Sequence, residues 1–287
     1  MPTFREGAGG RANSGMLANW CFIEVSVLSH TAQVLPNTAQ FNVGYFSKLK
    51  RLGFNPSNIL DIGANSGEWT RTTKRIFPNA SFFMIDAEPY HETEHWGNLL
   101  SMKRIKSAIA VLDDREHDVP WYRVKSNGAK HSKLDTGNSM FRENTGWFRD
   151  SIAESRRTKT LDGVLAENGQ SQTAFEFIKI DVQGAELAAM RGGARTLSRA
   201  IVVSMEMPFF GQYNVGAPSF GQYAMFMESI GFLPFDITEM HSMPDPLEKG
   251  THVITQVDML FVRNTSSITQ RWARALSMMG ASKPKHV

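Results

Sequence analysis

From residue 58 to residue 262 the hydrophobic positions alternate between two rhythms. Short, dense apolar runs read as strands, at Asn58–Ile62, Ser81–Asp86, Arg104–Val111, Val119–Val124, Phe175–Asp181, Ala200–Met205, Phe232–Ile237 and Gln256–Val262. Between them, Glu68–Phe77, Tyr90–Met102, Ala185–Arg191 and Phe220–Ser229 predict helices. Pro78 stops the first, Gly192-Gly193 the third and Gly231 the fourth. Strands alternating with helices, with no internal repeat, predict an α/β fold: a Rossmann-like, mostly parallel sheet with helices on both faces.

Three stretches depart from this rhythm. Residues 1–15 are rich in Gly, Arg, Ser and Asn, and 16–52 hold two apolar patches, so 1–52 is expected to be a partly helical N-terminal extension. Residues 125–155 carry Asn127, Gly128, Gly137, Asn138, Asn144 and Gly146 around Trp147 and Phe148. So long a span between elements is expected to be a lid or substrate loop. The main domain is expected over 53–263, and 264–287 as a basic C-terminal tail.

Composition narrows the class. With 41% apolar and 21% charged residues, the 287-residue chain is not wholly disordered. Its single cysteine, Cys21, excludes a disulfide scaffold and fits a reducing compartment. The most apolar stretch, Met16–Leu28, is interrupted by Asn19 and Glu24 and lacks a cleavage pattern, so neither a membrane span nor a signal peptide is expected. The expectation is a soluble, cytoplasmic protein. The net charge is +3; residues 1–50 carry +2 and 264–287 carry +4, which leaves −3 on 51–263. The basic surplus therefore lies at the ends, which read more readily as solvated tails than as a nucleic-acid footprint.

The strongest chemical signal is Asp61-Ile-Gly-Ala-Asn-Ser-Gly-Glu-Trp69, a strand running through small residues into a helix. Gly63 permits a sharp turn beneath a ligand, Gly67 a close helix start, and the free N–H groups there suit polar ligand atoms. The spacing is G-x-x-x-G, not the G-x-G-x-x-G of a dinucleotide oxidoreductase. Asp61 would repel a pyrophosphate yet suits a ligand with an ammonium group, as in S-adenosyl-L-methionine. Asp86 and Glu88 follow at the spacing expected for a ribose-binding acid.

These residues, with Ala87-Glu-Pro89, Thr160-Leu-Asp162, Ile178-Lys-Ile-Asp-Val-Gln-Gly-Ala-Glu-Leu187, Glu206 and Gln256-Val-Asp-Met-Leu-Phe-Val262, make the chain similar to the FkbM family of class I S-adenosylmethionine-dependent methyltransferases over about residues 55–263. One departure is Gln183, where the family usually has Glu. The resemblance implies a seven-stranded sheet with a reversed last strand and methyl transfer to hydroxyls of sugars, glycolipids or natural products. It also implies that Glu88 takes the ribose, that Ser107 and Ala108 lie near the adenine, and that Asp181 lies beside the methyl group. The candidate cofactor set is thus Asp61, Gly63, Ala64, Asn65, Gly67, Glu68, Trp69, Asp86, Glu88, Ser107, Ala108 and Asp181.

Methyl transfer from a sulfonium is an in-line displacement, so the protein chiefly aligns the acceptor. A hydroxyl acceptor also loses a proton to a general base. Asp181 and Glu206 end apolar strands and are candidates, as are His131 and His241 in expected loops. Lys179, inside an apolar strand, needs a partner, for which Glu206 and Glu176 are the candidates. Eight histidines and one cysteine show no zinc spacing, and no metal is expected. Trp147, Phe148, Phe209, Phe210 and Tyr213 suit either stacking on a substrate or the core. The expected partner is a small-molecule or carbohydrate acceptor; a homo-oligomer is admissible. Two further readings compete: a ribose 2′-O nucleic-acid methyltransferase, motivated by the basic ends and by Lys179, Asp181 and Glu206, and a non-catalytic module, motivated by Gln183 alone.

Overall fold

The structure, a computed structural model, describes residues 44–124, 135–144, 150–210, 214–245 and 247–278. The expectations placed on residues 1–43, on His131, Trp147, Phe148 and Tyr213, and on 279–287 lie outside the described residues.

In chain order, α1 (Gly44–Arg51) precedes β1 (Asn58–Ile62), α2 (Glu68–Ile76), β2 (Ser81–Asp86), the short α3 (Pro89–Glu94) and α4 (Gly97–Leu100), and β3 (Ile105–Ile109). A second group follows: β4 (Val111–Leu112), β5 (Asp118–Val124) and β6 (Ser151–Lys159). The chain continues through α5 (Leu161–Glu167), β7 (Phe177–Ile180), α6 (Glu186–Arg191), α7 (Ala194–Leu197), β8 (Val202–Pro208), α8 (Phe220–Ser229), β9 (Phe232–Pro244), β10 (His252–Arg263) and α9 (Ser267–Met278).

Seven strands form one sheet in the order β3-β2-β1-β7-β8-β10-β9. β10, the last strand in the chain, runs antiparallel to both its neighbours, while the pairs from β3 to β8 are all parallel. This is the Rossmann-like sheet with a reversed last strand that the sequence led us to expect. The run Val119–Val124 does not join it. β5 pairs antiparallel with β6, and β6 pairs parallel with β4, as a separate three-stranded sheet. The reason is in the burial: β5 alternates exposed and buried at its start, as a strand covered on one face does, whereas β2 is buried along nearly its whole length. Ser151–Ser155, expected at the end of a lid loop, belong to β6. Part of the expected basic tail is the helix α9, anchored by buried Ile268 and by Trp272 edge-on to Phe235.

Alternation along the central strands supplies two cores. Leu60 and Ile62 of β1, with Ile178 and Ile180 of β7, face Leu161, Leu187 and Tyr223. Ile59 and Phe177 face the opposite way, onto Phe46, Trp69, Trp96 and Leu99. Phe177 meets Trp69, Phe46 and Phe54 edge-on at 5.4–6.1 Å, contacts of the kind that add ~0.5–1.5 kcal/mol each. Parity then puts Asp61, Lys179 and Asp181 on the second face too. The strand order reverses between β1 and β7, and an open α/β sheet binds its ligand beyond the carboxyl ends at such a point.

Candidate functional site

The loop after β1 is pinned from three sides. Gly63 and Ala64 N–H groups donate to the Ile85 carbonyl at 2.9 and 3.1 Å. The Asn65 N–H donates to Asp86 Oδ2 at 2.7 Å, and Trp96 Nε1 donates to the Asn65 carbonyl at 2.6 Å. Gly63 is required twice over: its φ is +74°, and a Cβ there would lie 1.7 Å from the Asp181 carbonyl oxygen. The Glu88 N–H donates to the other Asp86 oxygen at 2.8 Å. Asp86 thus staples the loop after β1 to the turn after β2.

These loops border a cavity open to solvent beyond β1, β2 and β7, about 700 Å³ with the solvent at its mouth included. Its lining includes Gly63, Asn65, Asp86, Glu88, Trp121 and Asp181, with Ala110–Leu112 on one wall. Among the described residues that line it, three are carboxylates and none is Lys or Arg.

Other expected site residues turn elsewhere. Asp61 is wholly buried, accepts from Thr70 Oγ1 at 2.6 Å, and lies 3.7 Å from Lys179 Nζ. The ammonium it faces is therefore the protein's own. Trp69 is a core residue against Phe177, because it sits on the inward face of α2. Ala64 is likewise in the core, and Glu68 is exposed. A Cβ at Gly67 would meet Leu99 and Met84, so that glycine admits α4 packing. Ser107 donates to Glu92 at 2.6 Å, and Ala108 packs against the core; neither lines the cavity, since the strand continues two residues further before its end opens onto it. His241 is half-exposed on β9, 3.7 Å from Glu239, and lines neither cavity described here. Phe209 and Phe210 are exposed rather than core, Phe209 edge-on to Phe220 at 5.5 Å.

At the end of β7, Lys179 Nζ donates to the Gly63 carbonyl at 2.7 Å and lies 3.3 Å from Asp181 Oδ2. Its partners are thus Asp181 and Asp61. Glu176, by contrast, accepts the Asn58 N–H at the start of β1. Burial would lower the Lys179 ammonium, but the two aspartates hold it above its usual range. Burial would raise Asp181, yet Lys179 outweighs it and holds that carboxyl below its usual value. Glu206 is the reverse. Burial first, then the charges of Asp181, Asp258 and Glu186, push it well above the ordinary glutamate range. The Gln183 amide spans the two acids, donating to Asp181 Oδ1 at 3.1 Å and to Glu206 Oε2 at 2.8 Å. Gln183 itself has φ +54°, held by Ser139 Oγ donating to its carbonyl at 2.6 Å. A second cavity of about 370 Å³ opens beside it, lined by Gln183, Glu206, Pro208, Asn214 and Gln256 among others.

Asp181, Glu186 and Glu206 bring one oxygen each within 4.8 Å of one another, as do ligand atoms of Glu239, His241 and Asp258. Glu186, however, already accepts from the Val182 and Gly184 N–H groups and the Tyr223 hydroxyl. It closes the turn after β7, and its oxygens are occupied. Sequence reasoning missed the groups around Glu88. Trp121 and Asn138 donate to its Oε1 at 2.9 and 3.0 Å, and Arg156 donates to Oε2 at 3.1 Å. Trp121 was discoverable as an inward position of a strand; nothing local marks Asn138 or Arg156.

Comparison with known proteins completes the picture. The profile described as the methyltransferase FkbM domain matches residues 61–234. The chain is similar to the 2-O-methyltransferase NoeI of Sinorhizobium fredii (strain NBRC 101917 / NGR234), 26% identical over 152 residues, which are 52% of this chain and 62% of that relative. Among solved structures, it is similar to precorrin-6y C5,15-methyltransferase from Geobacter metallireducens GS-15, at 12% identity and TM-score 0.42, covering 81% of this chain and 93% of that one. A SAM dependent methyltransferase from Aquifex aeolicus aligns at 12% identity and TM-score 0.36, over 75% and 88% of the two chains. No helix among the described residues is long and apolar enough to cross a membrane.

Proposed function

The chain belongs to the FkbM methyltransferase family, and from that premise we propose that it transfers the methyl group of S-adenosylmethionine to a hydroxyl oxygen of a small-molecule or carbohydrate acceptor. The observation that carries the donor assignment is the lining of the larger cavity: three carboxylates, Asp86, Glu88 and Asp181, and neither Lys nor Arg among its described residues, with His91 its one imidazole. Such a lining disfavours a phosphate-bearing nucleotide and favours an adenosine compound that carries a sulfonium and an ammonium. When bound, the donor supplies an already activated methyl group.

The chain's own residues then do three things. Glu88 and the stapled loop at Gly63–Asn65 hold the nucleoside end. The cavity beside Gln183 receives the acceptor, so that the hydroxyl approaches the methyl in line. Glu206, on the wall of that second cavity, takes the hydroxyl proton; its raised affinity for protons makes it the better base of the pair, since Lys179 holds Asp181 ionised and weakly basic. Hydroxyl methylation agrees with the 2-O specificity in the name of the relative from Sinorhizobium fredii.

Titration calorimetry with S-adenosylmethionine tests the donor assignment: one site with micromolar affinity is expected, and a folded sample that binds none overturns it. Incubation with a tritium-labelled methyl donor and a panel of hydroxylated glycans and metabolites then tests the acceptor class, with base-stable ether products expected.

A further inference from the structure

Resting on that donor assignment, we propose that Trp121, Asn138 and Arg156 are positioning residues that leave Glu88 a single acceptor position facing the cavity, so that the donor's ribose is held through one of its two hydroxyls.

An ionised carboxylate offers about four lone-pair positions. At Glu88, only 3% exposed, three are taken. Oε1 accepts from both Trp121 Nε1 and Asn138 Nδ2, which fills it, while Oε2 accepts from Arg156 Nη2 alone. The free position is therefore on Oε2. None of the three donors comes from the seven-stranded sheet: Trp121 is on β5, Arg156 on β6, and Asn138 in the segment that crosses between them.

The donors are themselves fixed. Asn138 Oδ1 accepts the Val124 N–H at 2.9 Å, which orients its amide. Arg156 donates to the Ala87 carbonyl at 2.8 Å and to Glu154 at 2.7 Å, and its guanidinium lies 5.1 Å from the centre of the Trp121 ring. A ribose hydroxyl that displaced Trp121 or Asn138 would leave a buried N–H without an acceptor, which costs more than the bond it gains. Glu88, Trp121 and Asn138 all line the larger cavity, where the donor of the proposed reaction would sit.

The test is calorimetric binding of S-adenosylhomocysteine and its 2′-deoxy and 3′-deoxy derivatives. In the wild type, one deoxy derivative is expected to bind about 10- to 100-fold more weakly, as for loss of a charge-assisted hydrogen bond, and the other within about threefold of the parent. Asn138→Ala vacates one Oε1 position, and there the second hydroxyl gains a partner, so the two penalties converge. Trp121→Phe keeps the ring, vacates the other Oε1 position and should act alike if Asn138→Ala fails to fold. Equal penalties in the wild type, or an unequal pattern unchanged in the folded variants, overturn this inference and leave the donor assignment standing. A wild type that binds no S-adenosylhomocysteine overturns both.

Discussion

Glu88 and Glu206 are two glutamates near the carboxyl ends of strands in one sheet, and their surroundings are opposite. Glu88 is encircled by donors: an indole N–H, an amide and a guanidinium. Glu206 has the Gln183 amide on one side and is otherwise crowded by the charges of Asp181, Asp258 and Glu186. The first arrangement fixes a carboxylate in place among donors, which suits binding. The second makes its carboxylate retain a proton, which suits proton transfer. Two identical side chains are thus suited to two different roles, and the neighbours decide which.

The most drastic way to break this contrast is to remove what keeps its two halves in register. Gly63→Val places a branched Cβ 1.7 Å from the Asp181 carbonyl, at a φ of +74°. The clash is with backbone, so β1 and β7 must separate. A loss above about 4 kcal/mol is expected, seen as an insoluble or molten product by circular dichroism.

Lys179→Met comes next. It strips the cation from Asp61, which is wholly buried, and from Asp181. Breaking such a pair costs ~3–5 kcal/mol, to be read from urea midpoints at neutral pH. Sign is also predicted. Lys179 holds Asp181 below its usual 3.8, so the wild type keeps that contribution above pH 4 and loses it as pH falls further. The variant should lack that acid-side loss.

A smaller change sharpens the contrast instead. Glu206→Gln keeps the shape and the reach to Gln183 while removing the proton acceptor. Methyl transfer, measured as S-adenosylhomocysteine released with an acceptor that the wild type methylates, should fall ~10²- to 10⁴-fold. Binding of S-adenosylhomocysteine should stay within about twofold. Because burial and the surrounding acids raise Glu206, wild-type turnover should climb with pH as it ionises; the variant's profile should be flat. A variant with full turnover would assign the proton elsewhere.

How much of this was legible in the sequence follows from the physics of each part. Strands β1, β2 and β7 are buried on both faces and so appear as unbroken apolar runs. β9 and β10 are far longer than their apolar cores suggested, because the hairpin beyond Ile237 is mostly exposed and leaves no hydrophobic pattern. Helix α9 buries only Ile268, so its basic residues dominated the reading. In the site, the glycine loop and the acids at 86, 88, 181 and 206 were visible as types at the right spacing. Their partners were not. Pairing Glu88 with Arg156 depends on where β6 docks, and pairing Lys179 with Asp61 rather than Glu206 depends on strand register. Neither is encoded locally.

The gentlest probe lies one strand beyond Glu206. Asp258 faces Glu206 in register on β8 and Glu239 on β9. Burial, then the nearby charges of Asp181 and Glu239, push its carboxyl up to about 7. A carboxyl raised in the folded state favours folding only while it keeps its proton. As pH rises from about 4 to about 7, the unfolded chain has already released that proton, so stability declines across the window and the full penalty is present above it. Asp258→Asn removes the penalty without removing shape. Its melting temperature should exceed the wild type's by a few degrees at pH 8, since ~1 kcal/mol corresponds to about 2–4 °C in a chain of this size, and should match it near pH 4. A gain of equal size at both values would mean that packing, not charge, is what Asp258 strains, and the crowding of acids around Glu206 would then have to come from Asp181 and Glu186 alone.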